Sequence, residues 1–267
     1  MPTHPGRDLI PTDACLVTGA GSGIGRGTAI ALARNGTGIA AFDLDRAQAN
    51  QTAAMIAEQG GRSIAIEADA SSEEPMDEAI RQTMGYFGGL DGVVVNAGIN
   101  GTWAPIDDLH ADEWDRTIRV NLRSTYMTLN KTVPCLKANG GGSVVIVSSI
   151  NGTRTFTNPG ATAYSATKAA QVAIAQQLAL ELARFAIRIN MVCPGAIDTN
   201  ISCSTEVRHP ERAEVPVIWP QGSVPISSGE PGRPEDVADL ISFLLSDRAR
   251  HITGTPIFID GGEGVLR

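Results

Sequence analysis

Seven short, mostly apolar runs, separated by longer mixed stretches, constrain this chain more than any other feature. The runs are Cys15-Leu16-Val17 and residues 38–42, 64–66, 93–95, 144–147, 187–192 and 256–259. They are near-continuous rather than alternating, the pattern of parallel strands covered on both faces. Between them lie helical candidates at 24–35, 46–59, 73–87, 111–138, 162–185 and 234–246. Asp112 and Glu113 place acid in the first turn of one, and Pro234 stands near the first position of another; both features favour helix initiation. Strands alternating with helices predict an α/β fold, a doubly wound, seven-stranded parallel sheet with helices on both faces. The 267 residues suit one domain over 12–267 behind a flexible leader, 1–11. Residues 199–233 break the rhythm with five prolines and no period. They follow the sixth strand, at the carboxyl edge where open α/β sheets bind ligands, and are expected to form a substrate lid.

Composition removes several classes of function. The net charge is −8 and Lys/Arg are not clustered, against a nucleic-acid partner. No apolar stretch approaches the roughly 20 residues that span a bilayer, and the opening MPTHPGRDLIP lacks the apolar core of a signal peptide. A cytoplasmic protein without membrane contact is expected. Cys15, Cys135, Cys193 and Cys203 are scattered without a CxxC, and His4, His110, His209 and His251 form no HExxH. Neither a disulfide framework nor a metal site is expected.

The first apolar run leads directly into Thr18-Gly19-Ala20-Gly21-Ser22-Gly23-Ile24-Gly25 and then a helical stretch. Glycines there allow a tight turn and a close approach of backbone N–H groups to a pyrophosphate at a helix N-terminus. In the first strand–turn–helix unit this predicts a dinucleotide site. Asp43 follows Gly25 by 18 residues, at the end of the second run. A carboxylate there accepts hydrogen bonds from an adenosine ribose and repels a 2′-phosphate, which favours NAD over NADP; Asp45 is a nearby substitute and Arg46 could offset the charge. Tyr164 and Lys168 are four apart in a predicted helix and share one face. A phenol titrates at about pH 10, and an adjacent ammonium is expected to lower that value toward the range useful to a general base.

These motifs, with Val95-Asn96-Ala97-Gly98, Asn121, Ser148-Ser149-Ile150-Asn151-Gly152, Cys193-Pro194-Gly195-Ala196-Ile197-Asp198-Thr199, Pro234-Glu235-Asp236, Ile252-Thr253-Gly254 and Asp260-Gly261-Gly262, occur in one order from Thr18 to Gly262. In that series the chain resembles the short-chain dehydrogenase/reductase family, in its single-domain branch. The resemblance implies a Rossmann-type fold and an NAD(P)-dependent oxidoreductase that interconverts a secondary alcohol and a ketone. It implies Tyr164 as general acid/base, Lys168 as the group that lowers its pKa and holds the nicotinamide ribose, and Ser149 as donor to the substrate oxygen. Asn121 is implied to bend its helix and anchor a water in a proton relay. Gly19, Ser22, Gly23, Ile24, Gly25 and Asp43 would bind the cofactor, Asp69 at adenine, Asn96, Ala97 and Gly98 along its floor. Pro194, Gly195, Ile197 and Thr199 would take its nicotinamide end. Ser149, three residues before Gly152, is preferred to Ser148, which strand alternation puts on the opposite side. Val95 stands where the family pattern has a second Asn, and Ser149 precedes Tyr164 by 15 residues, about two more than usual, a difference the intervening loop absorbs.

The substrate is less legible. Ser149, Asn151, Trp103, Arg154 and Ala196 are candidate contacts, with Ile99, Asn100, Phe156, Glu206 and Trp219 nearby in the chain's loops. Polar members suit a polyol, sugar or hydroxy acid. A non-catalytic NAD sensor on the same fold is the competing class, disfavoured because Asn121, Ser149, Tyr164 and Lys168 are all present. An epimerase or dehydratase would carry a larger substrate domain, and an enoyl reductase would space its Tyr and Lys wider. The stretches 111–138 and 162–185 are rich in Ala, Leu, Val and Thr on their outer faces. The resemblance implies that they pair into a homotetramer, or a dimer.

Overall fold

Consecutive apolar residues in an extended strand point alternately to opposite faces, so each run needs cover on both sides. The computed structural model, which describes residues 13–214 and 224–266, meets that demand with one large sheet between two helical layers. Its strands are β1 (Ala14–Thr18), β2 (Gly38–Asp43), β3 (Ser63–Glu67), β4 (Gly92–Val95), β6 (Gly142–Val147), β7 (Ile187–Pro194) and β9 (Pro256–Ile259). They run in the order β3-β2-β1-β4-β6-β7-β9, every pair parallel. This is the Rossmann-like α/β fold, and all seven runs found in the sequence are its strands.

In β1, Leu16 enters one core with Met76, Leu90, Met127, Leu136 and Leu182, while Cys15 and Val17 enter the other. That second core holds Leu32, Ile56, Val237, Ile241 and Leu244. The helices divide accordingly. Helices α1 (Gly23–Arg34), α2 (Arg46–Glu58) and α7 (Pro234–Leu245) cover one face. Helices α3 (Glu73–Phe87), α5 (Ser124–Ala138) and α6 (Thr162–Leu182) cover the other.

Two expectations need correction. The stretch 111–138 is not one helix: α4 (Ala111–Thr117) passes through a π-helical turn, Ile118–Arg123, before α5 begins. Hydrophobic period cannot reveal such a turn, because one inserted residue leaves both flanking periods intact. The segment from 199 is not simply a loop either. Its strand β8 (Thr205–Val207) pairs in parallel with β5 (Gly101–Trp103), a second, two-stranded sheet that no apolar run announced. Arg208 next to β8 clamps this segment by pairing with both oxygens of Glu113, at 2.8 Å each. The leader 1–11 and Trp219 lie outside the described residues. Among the described residues, no helix is long and apolar enough to cross a membrane.

Candidate active site

The strand order reverses at β1, which pairs with β2 on one side and β4 on the other. Successive crossovers leave in opposite directions there, opening a crevice at the strands' carboxyl ends. Thr18 and Asn96 lock its floor: the Asn96 amide nitrogen donates to the carbonyls of Thr18 and Gly19, at 3.0 and 3.1 Å, and its backbone N–H to Thr18 Oγ1 at 3.0 Å. Asn96 therefore ties β1 to β4 as well as lining the crevice. Only glycine fits at position 25, since a Cβ there would stand 2.0 Å from the Gly19 carbonyl oxygen. Gly25 shapes the turn from within, and Gly19, Ser22, Gly23 and Ile24 face the crevice.

Two cavities occupy this crevice. The first, of about 390 Å³, is bounded by the glycine turn, Asp43, Asp69 and Ala97. The second, of about 300 Å³, is bounded by Ser149, Tyr164, Lys168, Pro194 and Gly195. They share Ile24, Asn96, Gly98, Thr199 and Ile201, so they form one trough. A glycine-lined cradle at the start of α1 continuing into a pocket with a phenol and an amine fits an extended dinucleotide. At the far end of the cradle, Asp43 accepts from the backbone N–H groups of Gly21 and Asp45, at 2.7 and 2.9 Å. Two nearby cations are engaged elsewhere, Arg26 donating to Gln48 and Gln51 and Arg46 facing Glu67 at 3.8 Å, while Arg119 borders the cavity on the Asp69 side. Asp69 is less available than expected for adenine. One oxygen accepts from the N–H and hydroxyl of Ser71 and the other from the hydroxyl of Ser72. Partial burial raises its pKa, but these hydrogen bonds outweigh burial and hold it below the usual carboxylate range.

Tyr164, Thr167, Lys168 and Gln171 lie on the buried face of α6. The Lys168 ammonium donates to the Val147 carbonyl at 2.9 Å and sits 5.5 Å from the centre of the Tyr164 ring. Burial lowers the Lys168 pKa to about 8, against a smaller opposing effect of Cys193. Tyr164 departs from the sequence expectation. Burial raises its pKa, and the neighbouring Ser149 hydroxyl offsets only part of that. The expected lowering by Lys168 is missing because that ammonium is directed at Val147. The two serines divide their work. Ser148 donates to the Lys168 carbonyl at 2.8 Å, bracing α6, whereas Ser149 accepts from the Asn151 N–H at 3.1 Å beside Tyr164. Both line the trough, because the chain leaves β6 at Val147 and strand alternation no longer applies. Gly152, at φ 81°, crosses so close to α6 that a Cβ would meet the Ser165 carbonyl oxygen at 2.1 Å.

Asn121 occupies the π-helical turn, fully buried. Its side chain accepts from Ile99 N–H at 2.8 Å and donates to the Ile99 carbonyl at 2.9 Å and Thr167 Oγ1 at 3.2 Å. Its backbone carbonyl accepts from Thr125 Oγ1 at 2.8 Å and Gln171 Nε2 at 3.1 Å. Ser124 Oγ reaches the same oxygen at 3.4 Å, so three side-chain donors converge on it.

Of the expected substrate contacts, Ser149, Asn151, Trp103, Ala196 and Asn100 line the second cavity. Arg154 does not: its guanidinium lies 3.3 Å from the Phe258 ring centre and 4.0 Å from Asp260. Ile99 borders the first cavity, and Phe156 a separate outer groove. Glu206 is exposed on β8 and borders neither cavity. Sequence reasoning missed Asn158, and above all Glu263, which enters the cavity from beyond β9 and accepts the Ala196 N–H at 2.8 Å. Glu263 follows the Asp260-Gly261-Gly262 turn, whose glycines mark a bend but give no sign that the next side chain returns to the site.

Comparison with known proteins gives the same family. The family model described as enoyl-(acyl carrier protein) reductase matches residues 19–263. The cyclohexanol dehydrogenase of Acinetobacter sp. (strain SE19) is 35% identical, over 92% of each chain. A 3-ketoacyl-ACP reductase from Sinorhizobium meliloti 1021 is 60% identical, with a TM-score of 0.92 over 95% of this chain and 100% of that one. The 3-ketoacyl-(acyl-carrier-protein) reductase of Brucella melitensis, solved with NADH, is 31% identical, with a TM-score of 0.83 over 94% and 98% of the two chains. A parallel sheet with a glycine cradle at its switch point, a Tyr–Lys pair beside a serine, and these relatives lead to one conclusion: the chain belongs to the short-chain dehydrogenase/reductase family, whose members are oxidoreductases acting on CH–OH groups.

Proposed function

We propose that this protein is an NAD-dependent dehydrogenase that interconverts a secondary alcohol and a ketone, with Tyr164 as general acid/base. The observation that carries the reading is the continuous trough, which joins a glycine cradle to a cavity lined by Ser149, Tyr164 and Lys168. The nicotinamide, when bound, supplies the hydride acceptor or donor. The remaining chemistry belongs to the chain. In oxidation the Tyr164 phenolate oxygen takes the hydroxyl proton of the substrate, and in reduction the phenol returns it to the carbonyl oxygen. Ser149 donates a hydrogen bond to that same oxygen, where negative charge develops. Lys168, whose ammonium donates to the Val147 carbonyl 5.5 Å from the centre of the Tyr164 ring, would hold the nicotinamide ribose. Gly19, Ser22, Gly23, Ile24, Ala97 and Gly98 would hold the cofactor's backbone, and Pro194, Gly195, Ile197 and Thr199 its nicotinamide end. Asp43 at the adenosine end, with Arg26 and Arg46 engaged by other groups, supports NAD over NADP.

The test is NAD- and NADP-linked turnover of a panel of secondary alcohols, with Tyr164→Phe as control. Turnover with NAD that falls at least about 100-fold in Tyr164→Phe, with NAD affinity unchanged by calorimetry, is the expected result. Full activity in Tyr164→Phe would overturn the assigned base, and turnover with NADP alone would overturn the cofactor. The 60%-identical relative favours a second reading, reduction of a carrier-bound 3-ketoacyl group.

A further inference from the structure

Resting on the dehydrogenase reading, we propose that Glu263 reads the substrate: its carboxylate accepts a hydrogen bond from a hydroxyl next to the reacting carbon, so the pocket takes neutral polyhydroxylated molecules and rejects anionic ones.

Glu263 lines the same cavity as Ser149 and Tyr164 and is the only acidic side chain among the described residues that does so. Its orientation is fixed. Oε2 accepts the Ala196 N–H at 2.8 Å, and the approach is so close that a Cβ on Gly195 would stand 2.6 Å from that oxygen. Among the described residues, Oε1 has no donor. Opposite polarity comes from Asn151, more than nine-tenths buried in the same wall. Its Oδ1 accepts from Asn158 Nδ2 at 3.0 Å, and among the described residues its own amide nitrogen has no acceptor. An unpartnered acceptor and an unpartnered donor in one small cavity match hydroxyl groups, each of which donates and accepts.

Charge gives the same answer. Lys168 is the only cationic side chain among the described residues lining this cavity, and its ammonium is engaged by Val147. Arg154, the nearest candidate to neutralise an acid, is stacked on Phe258 and paired with Asp260, outside the cavity. Burial, with Asp260 close by, raises the pKa of Glu263 despite the Ala196 hydrogen bond. A substrate carboxylate or phosphate would add like charge to a group already strained by burial.

Glu263→Gln is an informative change. The amide oxygen must face the Ala196 N–H, so the NH2 group faces the cavity and the wall becomes a donor instead of an acceptor. We would titrate xylitol, sorbitol and 3-hydroxybutyrate into the protein loaded with NADH, reading binding by ligand-observed NMR. In parallel, kcat/KM would be measured for these compounds, for acetoacetyl-CoA and for cyclohexanol, which has no neighbouring hydroxyl. The expected result is polyol binding that weakens about 10- to 100-fold in Glu263→Gln. The loss should appear in KM, with cyclohexanol turnover and NAD affinity unchanged and 3-hydroxybutyrate gaining relative to wild type. Binding of neither polyol, preference of the wild type for 3-hydroxybutyrate or acetoacetyl-CoA, or an equal effect of Glu263→Gln on polyol and cyclohexanol would each overturn it. The dehydrogenase reading fails separately, when no alcohol in the panel shows turnover that depends on Tyr164.

Discussion

At the scale of single residues, the site depends on how burial acts on two titratable groups four residues apart. Native Lys168 titrates at about 8, below the ordinary lysine value of 10.5, because burial disfavours its charge. The unfolded chain keeps its proton up to the ordinary value, so unfolding takes up a proton between those two pH values. The Lys168 contribution to stability is therefore complete above about 10.5 and is lost as pH falls through about 8. In urea denaturation, Lys168→Met is expected to gain on wild type at pH 7 and to lose that advantage as pH rises through 8 toward 10. A difference independent of pH would show that Lys168 does not carry the effect. The residue identities here were legible from the Tyr–Lys spacing, but the direction of the Tyr164 shift was not. It depends on where the ammonium points, and that is set by the Val147 carbonyl on another element.

At the scale of elements, two local structures hold the site, and neither has a period or composition that marks it. The π-helical turn between α4 and α5 frees the Asn121 carbonyl, which the side chains of Thr125 and Gln171 satisfy, while the Asn121 side chain ties the turn to Ile99. Removing the Asn121 side chain leaves the N–H and carbonyl of Ile99 unpaired in a partly buried setting. Asn121→Leu is expected to cost about 2–4 kcal/mol, read as a lower denaturation midpoint, together with reduced turnover. The clamp on the β5–β8 pair behaves differently. Hydrogen bonds from Arg208 first, against a smaller burial effect, hold Glu113 at about 2, well under its ordinary 4.5. A depressed carboxyl contributes stability that is complete above the unfolded value and lost as pH falls toward the native one. The melting-temperature gap between wild type and Arg208→Ala is expected to be constant above about pH 4.5 and to close between 4.5 and 2. A gap that persists at pH 2 would assign the clamp to packing of the arginine stem instead.

At the scale of the whole molecule, the outer surfaces of α5 and α6 expose Tyr126 and Leu180, the latter 82% accessible. Large apolar side chains left on long helices support the proposal that these helices pair between copies in a homotetramer. Sedimentation at micromolar concentration is expected to give four chains, and Leu180→Glu a smaller species; a monomeric wild type would refute the assembly.

The sequence by itself determined the architecture and the family. Seven apolar runs require two-sided cover, and only a parallel sheet between helical layers provides it for all of them. Glycines between a strand and a helix permit a tight turn, and a Tyr and a Lys four apart in a helix share one face. These are local rules, acting over a few residues. The tertiary structure alone decided what those groups face. Asn121 is brought against Gln171, Arg208 against Glu113, and Glu263 into a cavity with Ser149, some 114 residues earlier in the chain. Hydrogen-bond partners, charge neighbours and burial depend on pairings distant in sequence, and no periodicity records them.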